Sequence, residues 1–162
     1  MIEQYPEFKQ DLVDLNGFVQ VQDRDLYKAL KQEITTKYES GNKFNITALT
    51  IDTHFPGDGR CSECLNEYGD YRDILKCADR QIGEFIDWAS DQPWMNDTTI
   101  VIMGDHLYMG NTVELYNNAE KDNNYTRTVY NAIINPVETD IDKNRLENRQ
   151  FNQSDLMPTI LA

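Results

Sequence analysis

Apolar residues recur at helical spacing in two long stretches of the chain. The first predicted helix begins at Asp23 or Asp25 and runs to about Tyr38. Its apolar positions lie on one face: Leu26, Ala29, Leu30 and Ile34. The second helix is predicted over 71–89 and has one apolar stripe: Tyr71, Ile74, Leu75, Ala78, Ile82, Phe85, Ile86 and Ala89. Charged residues such as Asp73 fall outside this stripe and are expected to face solvent.

Shorter apolar runs rich in β-branched residues predict three strands, over 44–51, 98–103 and 128–134. In the second run, four consecutive apolar residues, Ile100 to Met103, indicate a strand covered on both faces, as in a parallel sheet. Ser154 is expected to cap a short helix that runs through Leu161.

The remaining residues are polar or turn-forming and predict irregular structure over 1–22 and loops over 54–66, 107–124 and 138–150. The resulting order of elements is helix, strand, helix, strand, strand, helix. This order predicts an α/β fold, a three-layer sandwich with a mostly parallel sheet. A length of 162 residues suits one domain, so 1–162 is expected to form a single domain.

Composition and charge narrow the function classes. The hydrophobic fraction is 40% and the charged fraction 27%, which favours a folded protein over a disordered one. The formal net charge of -13 argues against nucleic-acid binding, because phosphates require Lys and Arg to replace their counterions. The longest apolar stretch is far shorter than the ~20 residues that cross a bilayer, so no transmembrane segment is predicted in this chain. The first residues lack the pattern of a signal peptide.

Three cysteines, Cys61, Cys64 and Cys77, leave several interpretations open. The C-x-x-C formed by the first two is typical of a redox pair, half a zinc site or a local disulfide. A Gly/Asp/Arg loop precedes it, whereas a thioredoxin-like motif follows a strand directly, so the redox interpretation is disfavoured. A bridge from Cys77 to Cys61 or Cys64 would join this loop to the second helix, and three inert thiols are the alternative.

One acid–histidine pair follows the strand predicted over 98–103, in the segment Gly104-Asp105-His106. The carboxyl ends of strands are where open α/β sheets place their active sites. A carboxylate beside an imidazole suits Zn²⁺, Mn²⁺ or Fe, provided that the chain turns at the glycine so that both side chains reach one ion. The alternative is that Asp105 caps a turn and that His106 is a structural histidine.

A second acid–histidine pair, Asp52-Thr53-His54, follows the strand predicted over 44–51. Asp52 is a candidate for orienting His54 or a ligand, or for capping the loop through the main chain. Arg60 in the same loop is a candidate anion ligand, although a single exposed arginine is more often solvated surface. These two pairs contain the only histidines of the chain.

Several segments, taken in order, resemble the sulfatase-like branch of the alkaline phosphatase superfamily, and within it the lipoteichoic acid synthase and phosphoglycerol transferase group. The segments are Leu49-Thr50-Ile51-Asp52-Thr53-His54-Phe55-Pro56-Gly57, Ala78-Asp79-Arg80-Gln81-Ile82-Gly83-Glu84-Phe85, Asp97-Thr98-Thr99-Ile100-Val101-Ile102-Met103-Gly104-Asp105-His106 and Asp155-Leu156-Met157-Pro158-Thr159-Ile160-Leu161. The resemblance spans about 44–161, and the ordered combination is more specific than any one motif.

The resemblance implies roles for three residues. Asp105 and His106 are expected to bind the catalytic metal, Mn²⁺ or Zn²⁺, and His54 is expected to contact the substrate phosphate. The implied reaction uses a metal-activated threonine that attacks phosphatidylglycerol, releases diacylglycerol and passes glycerol phosphate to an acceptor in the cell envelope. It further implies a parent protein that is membrane-anchored and extracytoplasmic.

The chain departs from the family pattern, because the segments that carry the nucleophile and the remaining acidic metal ligand are not found in it. It therefore resembles the C-terminal part of a catalytic domain, with no catalytic nucleophile of its own. As an isolated chain it is expected to be inactive, to bind metal weakly and to self-associate through exposed sheet. The sulfatase C/S-x-P-x-R motif is also absent, so a sulfatase and a phosphoethanolamine transferase stay alternatives. A non-catalytic binding or assembly module is the alternative from another class.

Overall fold

The computed structural model of the chain describes residues 3–15, 18–55, 57, 61–64, 66–110, 127–136 and 152–161. The chain divides into two compact units. The first unit contains residues 1–94 and 108–125, and the second contains residues 95–107 and 126–162. Arg60, most of the loop predicted over 107–124 and the loop predicted over 138–150 lie outside the described residues.

The first unit opens with a hairpin-like pair of strands where irregular structure was predicted. A short 3-10 helix, Pro6–Asp11, leads into β1, Leu12–Leu15, which pairs antiparallel with β2, Phe18–Val21. The register places Leu12 opposite Val21. The prediction of an irregular segment over 1–22 is therefore wrong.

Two helices form the body of the first unit, and both predictions of them are confirmed. Helix α1 covers Asp23–Glu39 and helix α2 covers Tyr71–Ser90. Apolar side chains of both helices are buried: Leu26, Ala29 and Ile34 from α1, and Ile74, Cys77, Phe85 and Ala89 from α2. No helix among the described residues is long and apolar enough to cross a membrane.

Aromatic side chains fill the space around these two helices. The ring of Phe85 lies 5.6 Å from that of Tyr27 and 5.7 Å from that of Trp88, measured between centroids. Trp88 in turn lies 5.6 Å from Trp94, which is 5% exposed. Offset and tilted pairs at these distances are favourable beyond the area that they bury, so this chain of rings is the core of the first unit.

The segment 44–51 is not a strand, which corrects the sequence prediction. Its residues lie outside the strands that pair in the structure, and Leu49 is 70% exposed. At the end of the segment, the N–H of Ile51 donates to the carboxylate of Asp23 at 2.7 Å rather than to a neighbouring strand. His54 therefore follows an irregular segment.

A disulfide bond joins Cys64 to Cys77, one of the pairings that the sequence left open. It connects the loop before α2 to the second turn of that helix. Cys61 is a free, buried thiol. Its carbonyl oxygen accepts a hydrogen bond from the N–H of Cys64 at 3.0 Å, so the two residues of the C-x-x-C close a turn rather than a bridge.

The second unit contains one antiparallel pair of strands and a short helix. Strand β3, Ile100–Met103, pairs with β4, Asn131–Ile134, so that Ile100 lies opposite Ile134. Helix α3, Leu156–Leu161, follows a 3-10 turn at Gln153–Asp155.

The strands predicted at 98–103 and 128–134 are confirmed as shorter elements, but their arrangement differs from the prediction. Both sheets among the described residues are antiparallel pairs, so the mostly parallel sheet of a three-layer sandwich is not seen there. All four residues of β3 are half-buried instead of fully covered. Helices and a small sheet are nevertheless combined in one chain, which agrees with the α/β class.

Candidate functional site

Asp105 and His106 lie side by side where β3 ends. The carboxylate Oδ2 of Asp105 is 3.5 Å from Nε2 of His106, and Oδ1 accepts a hydrogen bond from the main-chain N–H of His106 at 2.8 Å. Both side chains are exposed, by 66% for Asp105 and 50% for His106. The chain therefore bends after β3, and the bend brings both donor groups to one side, as metal binding requires.

Gly104 provides the room for close approach of β4 and the end of β3. Its N–H donates to the carbonyl oxygen of Tyr130 at 2.8 Å, which extends the β3–β4 ladder by one residue. A Cβ at position 104 would lie 3.2 Å from the Cβ of Val129, tighter than most such contacts in proteins. The glycine is therefore needed for close approach of the two strands, whereas the sequence argument attributed it to turn formation.

The ring of His106 is fixed in one tautomer by the main chain. Its Nδ1 lies 2.8 Å from the carbonyl oxygen of Leu107. Since a carbonyl oxygen only accepts, this hydrogen bond requires the proton on Nδ1 and leaves the lone pair on Nε2. A histidine that ligates a metal commonly donates its other ring N–H to a carbonyl in this way.

These two residues fit part of a divalent metal site. Two ligands about 2.0–2.1 Å from a tetrahedral Zn²⁺ are about 3.3 Å apart, close to the 3.5 Å between Oδ2 of Asp105 and Nε2 of His106. A carboxylate and a neutral imidazole also suit Mn²⁺ and Zn²⁺ chemically. No group of three or more candidate ligands occurs among the described residues.

Gln153 supports the pair from the segment before α3. Its side-chain amide donates to the carbonyl oxygen of Asp105 at 2.5 Å. Asn152 caps the 3-10 turn, because its side chain accepts from the N–H of Ser154 at 2.8 Å and its own N–H donates to Asp155 at 3.0 Å. The cap predicted at Ser154 is therefore formed two residues earlier.

His54 lies in the first unit and forms the corner of two successive turns. Its N–H donates to the carbonyl oxygen of Ile51 at 2.8 Å, and its own carbonyl accepts from the N–H of Gly57 at 2.8 Å. The exposed ring places Nδ1 2.6 Å from the carbonyl oxygen of Phe55, which requires a proton on that nitrogen. When the ring is protonated, Nε2–H is a donor for an anionic oxygen.

Aromatic residues hold the His54 turn against α2. The hydroxyl of Tyr71 donates to the carbonyl oxygen of Thr53. The ring of Tyr108 lies 4.5 Å from that of Tyr71 and 6.0 Å from that of Phe55, measured between centroids. Gly57 has φ +86, and a Cβ there would meet the Tyr71 ring at 2.7 Å. The turn is therefore packed closely on the helix.

A reciprocal pair of buried aspartates lies directly behind this turn. Asp23 accepts from the N–H of Ile51 at 2.7 Å and from the N–H of Asp52 at 3.2 Å, while Oδ1 of Asp52 accepts from the N–H of Asp23 at 3.2 Å. Burial and the neighbouring charge of Asp23 raise the pKa of Asp52 to about 6. Burial also raises the pKa of Asp23, against the effect of its two N–H donors. Asp52 is therefore the member of the pair that carries a proton most readily.

The structure places the three candidate site residues at turns and shows supporting contacts that the sequence does not reveal. His54, Asp105 and His106 stand at turns with their rings or carboxylates exposed. The contacts of Asp23 and Gln153 are not predictable from the sequence pattern, because each joins a side chain to the main chain of a distant residue. The Asn152-x-x-Asp155 spacing is a capping-box signature that marks the start of the 3-10 turn before α3.

Comparison with known proteins adds an independent observation. A family model described as Sulfatase matches residues 3–162. The proteins named Phosphoglycerol transferase I of Salmonella paratyphi B, Salmonella newport and Salmonella typhi are each 36% identical to the chain over 92 residues. That match covers 52% of this chain and 12% of each relative, so the chain spans about an eighth of their length. No solved structure matches the chain significantly.

Proposed function

The chain belongs to the sulfatase family, and on that premise we propose that it is the C-terminal part of the catalytic domain of a metal-dependent phosphoglycerol transferase. The observation that carries the proposal is the pairing of Asp105 with His106 at the end of β3, with the histidine lone pair on Nε2. The relatives named phosphoglycerol transferase I favour this activity over others in the family.

Asp105 and His106 would hold the divalent metal, Mn²⁺ or Zn²⁺, through the carboxylate and Nε2. When bound, such a metal supplies Lewis acidity at a phosphate oxygen and activates a hydroxyl nucleophile. The hydrogen bond from Nδ1 to Leu107 orients the ring of His106, and the hydrogen bond from Gln153 anchors the main chain of Asp105. These supports hold the two ligands in place before any ion arrives.

His54 would bind the phosphate of the substrate. Its Nδ1 donates to the carbonyl oxygen of Phe55, so Nε2 is the ring atom that would meet the phosphate. The substrate that we propose is phosphatidylglycerol, whose glycerol phosphate passes to a cell-envelope acceptor while diacylglycerol leaves. This reaction would take place outside the cytoplasmic membrane.

We place the threonine nucleophile and the remaining metal ligands in a segment outside these 162 residues. In support, the chain spans about an eighth of the length of the relatives named phosphoglycerol transferase I. The isolated chain is then expected to lack turnover but to retain weak metal binding, and self-association through exposed sheet stays a prediction. Sulfatase and phosphoethanolamine transferase are the alternatives on the same scaffold, and a non-catalytic binding or assembly module is the alternative of another class.

Calorimetric titration of the chain with Mn²⁺ and Zn²⁺ tests the proposal. Saturable one-site binding is expected, and the Asp105→Ala/His106→Ala variant should lose it. Both side chains are exposed, so the variant should keep the far-ultraviolet circular dichroism of the parent chain. His54→Ala, which removes the other histidine, is the matched control and should bind metal like the parent chain.

The result of this titration distinguishes the proposed enzyme from the non-catalytic alternative. Equal binding by the parent chain and the double variant, or none by either, would remove the metal site from this chain and favour the non-catalytic module. Ligand preference at His54 separates the enzymes: tighter binding of glycerol phosphate than of sulfate supports the transferase, and the reverse order supports a sulfatase.

A further inference from the structure

We propose that Asp23 is a positioning residue for His54: its carboxylate fixes the main chain of Ile51 and Asp52, and through it the turn that presents the histidine to an anionic ligand. The inference rests on the proposed function for the role of His54 in phosphate binding. It adds a residue from the N-terminus of α1 that touches neither the metal pair nor the substrate.

The contacts form a continuous path from the carboxylate to the histidine. Both oxygens of Asp23 accept from the main chain, Oδ1 from Ile51 at 2.7 Å and Oδ2 from Asp52 at 3.2 Å. The peptide groups of Ile51 then continue the path, because its carbonyl oxygen accepts from the N–H of His54 at 2.8 Å. A single residue thus connects Asp23 to the main chain of His54.

The return contact makes the connection reciprocal. The first N–H groups of a helix have no partner within the helix, and the carboxylate of Asp52 satisfies the one at Asp23, at 3.2 Å. Asp52 caps the N-terminus of α1, and Asp23 binds the main-chain N–H groups at the start of the His54 turn. Neither contact is open to competition from solvent, since Asp23 is 1% exposed and Asp52 is 4% exposed.

The purpose of such a connection is preorganisation of an exposed group. His54 itself is exposed, and its ring contacts only a neighbouring carbonyl in the described structure. A loop histidine held solely by local turns would sample many orientations, and anion binding would then carry the entropy of ordering it. Anchoring the preceding residues to a helix terminus lowers that entropy before the ligand binds.

The chain supplies a matched control in Asp73. This residue is also a buried aspartate in the first turn of a helix, and it too accepts from loop N–H groups, those of Tyr68 at 3.0 Å and Gly69 at 2.7 Å. It anchors residues 67–69, immediately before α2, and these residues lie outside the His54 turn. Asp23→Asn and Asp73→Asn therefore make the same chemical change in the same setting on different segments.

The experiment follows the histidine rings of the full chain by nuclear magnetic resonance during titration with glycerol phosphate and, separately, inorganic phosphate. His106 provides an internal reference. We expect Asp23→Asn to weaken binding at His54 by about tenfold, since one of two N–H groups then faces an amide N–H instead of an acceptor. Asp73→Asn should leave the affinity within about twofold of that of the parent chain. It should lower the melting temperature by about as much as Asp23→Asn does.

A second readout in the same samples is hydrogen exchange at the amide of His54. Exchange should be at least about tenfold faster in Asp23→Asn and unchanged in Asp73→Asn. If Asp23→Asn does not fold, Asp23→Ser keeps one acceptor and serves as the milder variant. Equal effects of the position-23 and position-73 variants on affinity and exchange would overturn the positioning role.

The two proposals fail in different ways. If the parent chain binds neither phosphate at His54 but exchange at that amide still depends on Asp23, the phosphate role of His54 is wrong and the positioning of its turn stands. If the parent chain binds phosphate at His54 and Asp23→Asn changes neither readout, the positioning role is wrong and the proposed function stands. Binding of inorganic phosphate as tight as that of glycerol phosphate would identify a general anion site.

Discussion

The side-chain amide of Gln153 donates a hydrogen bond to the main-chain carbonyl oxygen of Asp105 at 2.5 Å. This contact joins residues 48 positions apart in the sequence and holds the main chain of Asp105, one of the two candidate metal ligands. The closing segment before α3 therefore supports the end of β3 without contributing a ligand of its own.

Gln153→Ala should weaken Mn²⁺ and Zn²⁺ binding by about fivefold, because a hydrogen bond of about 1 kcal/mol no longer restrains Asp105. Calorimetric titration measures the change. Gln92→Ala is the control, since Gln92 makes the same type of bond to the carbonyl oxygen of Trp88 at 3.0 Å in the first unit. Equal metal affinity in both variants and the parent chain would mean that Gln153 has no part in the site.

Gly57→Ala should destabilise the protein by about 2–4 kcal/mol. The position combines a left-handed φ of +86 with a Cβ placed 2.7 Å from Tyr71 and 2.8 Å from Ile74, and strain and overpacking add. Gly41→Ala has the strain alone, because φ is +72 there and no atom lies within 4 Å, so about 1 kcal/mol is expected. Chemical denaturation measures the free energy of unfolding of the two variants. An equal decrease in both would show that the side chains of α2 move aside at little cost.

The disulfide between Cys64 and Cys77 closes a loop of 13 residues. Replacing both cysteines by serine should lower the free energy of unfolding by about 3 kcal/mol, as loop-closure entropy predicts for this length. Cys61→Ala, which leaves the bridge intact, should have a smaller effect. Alkylation of the unfolded, unreduced protein followed by mass spectrometry should label Cys61 alone, and label on either of the other two would refute the pairing.

Stability should fall as the pH rises from about 4 to about 6 because of Asp52. Its pKa is raised from 3.8 to about 6 by burial and by the charge of Asp23, so the folded state holds a proton that the unfolded state has lost. The contribution is complete below the unfolded pKa and is lost through the folded one, by at most about 3 kcal/mol. Asp52→Asn mimics the neutral acid and should flatten this slope.

The difference in pH dependence between the parent chain and Asp52→Asn separates the contribution of Asp52 from those of groups whose pKa is lowered on folding. Burial would raise the pKa of Asp25, but hydrogen bonds from Arg24 and Lys28 lower it overall, so its contribution is lost as the pH falls. That term is common to both proteins and cancels. Identical slopes of unfolding free energy against pH in the parent chain and Asp52→Asn would contradict the assignment.

The elements that the sequence predicted well are those whose stability is local. Helices α1 and α2 carry their own apolar stripes and end at turn-forming residues, so periodicity alone places them within a residue or two. Membership of the sulfatase family, expected from ordered motifs, is confirmed by the family match over 3–162. Motif order carries this information because it does not depend on how the strands pair.

The errors arose where a distant residue decides the outcome. The segment 44–51 has the composition of a strand, but the N–H of Ile51 and that of the following residue, Asp52, donate to Asp23, which lies 28 and 29 positions earlier on α1. Asp73 was expected in solvent, yet it is 2% exposed because loop N–H groups converge on its carboxylate. Periodicity treats a carboxylate as a polar surface group and does not register these main-chain partners.

Asn135 fixes the end of the β3–β4 ladder that lies opposite the Asp105–His106 pair. Asn135 adopts φ 54 after β4. Its side chain donates to the carbonyl oxygens of Met95 at 2.6 Å and Thr98 at 3.0 Å. The hydroxyl of Thr99 donates to the carbonyl oxygen of Asn135 at 2.7 Å. A slip of one residue between β3 and β4 would turn every side chain to the opposite face. Such a slip would break these three hydrogen bonds. The face of the ladder from which the Asp105–His106 pair continues is therefore set at the opposite end of β3, beside Thr99, six residues before Asp105.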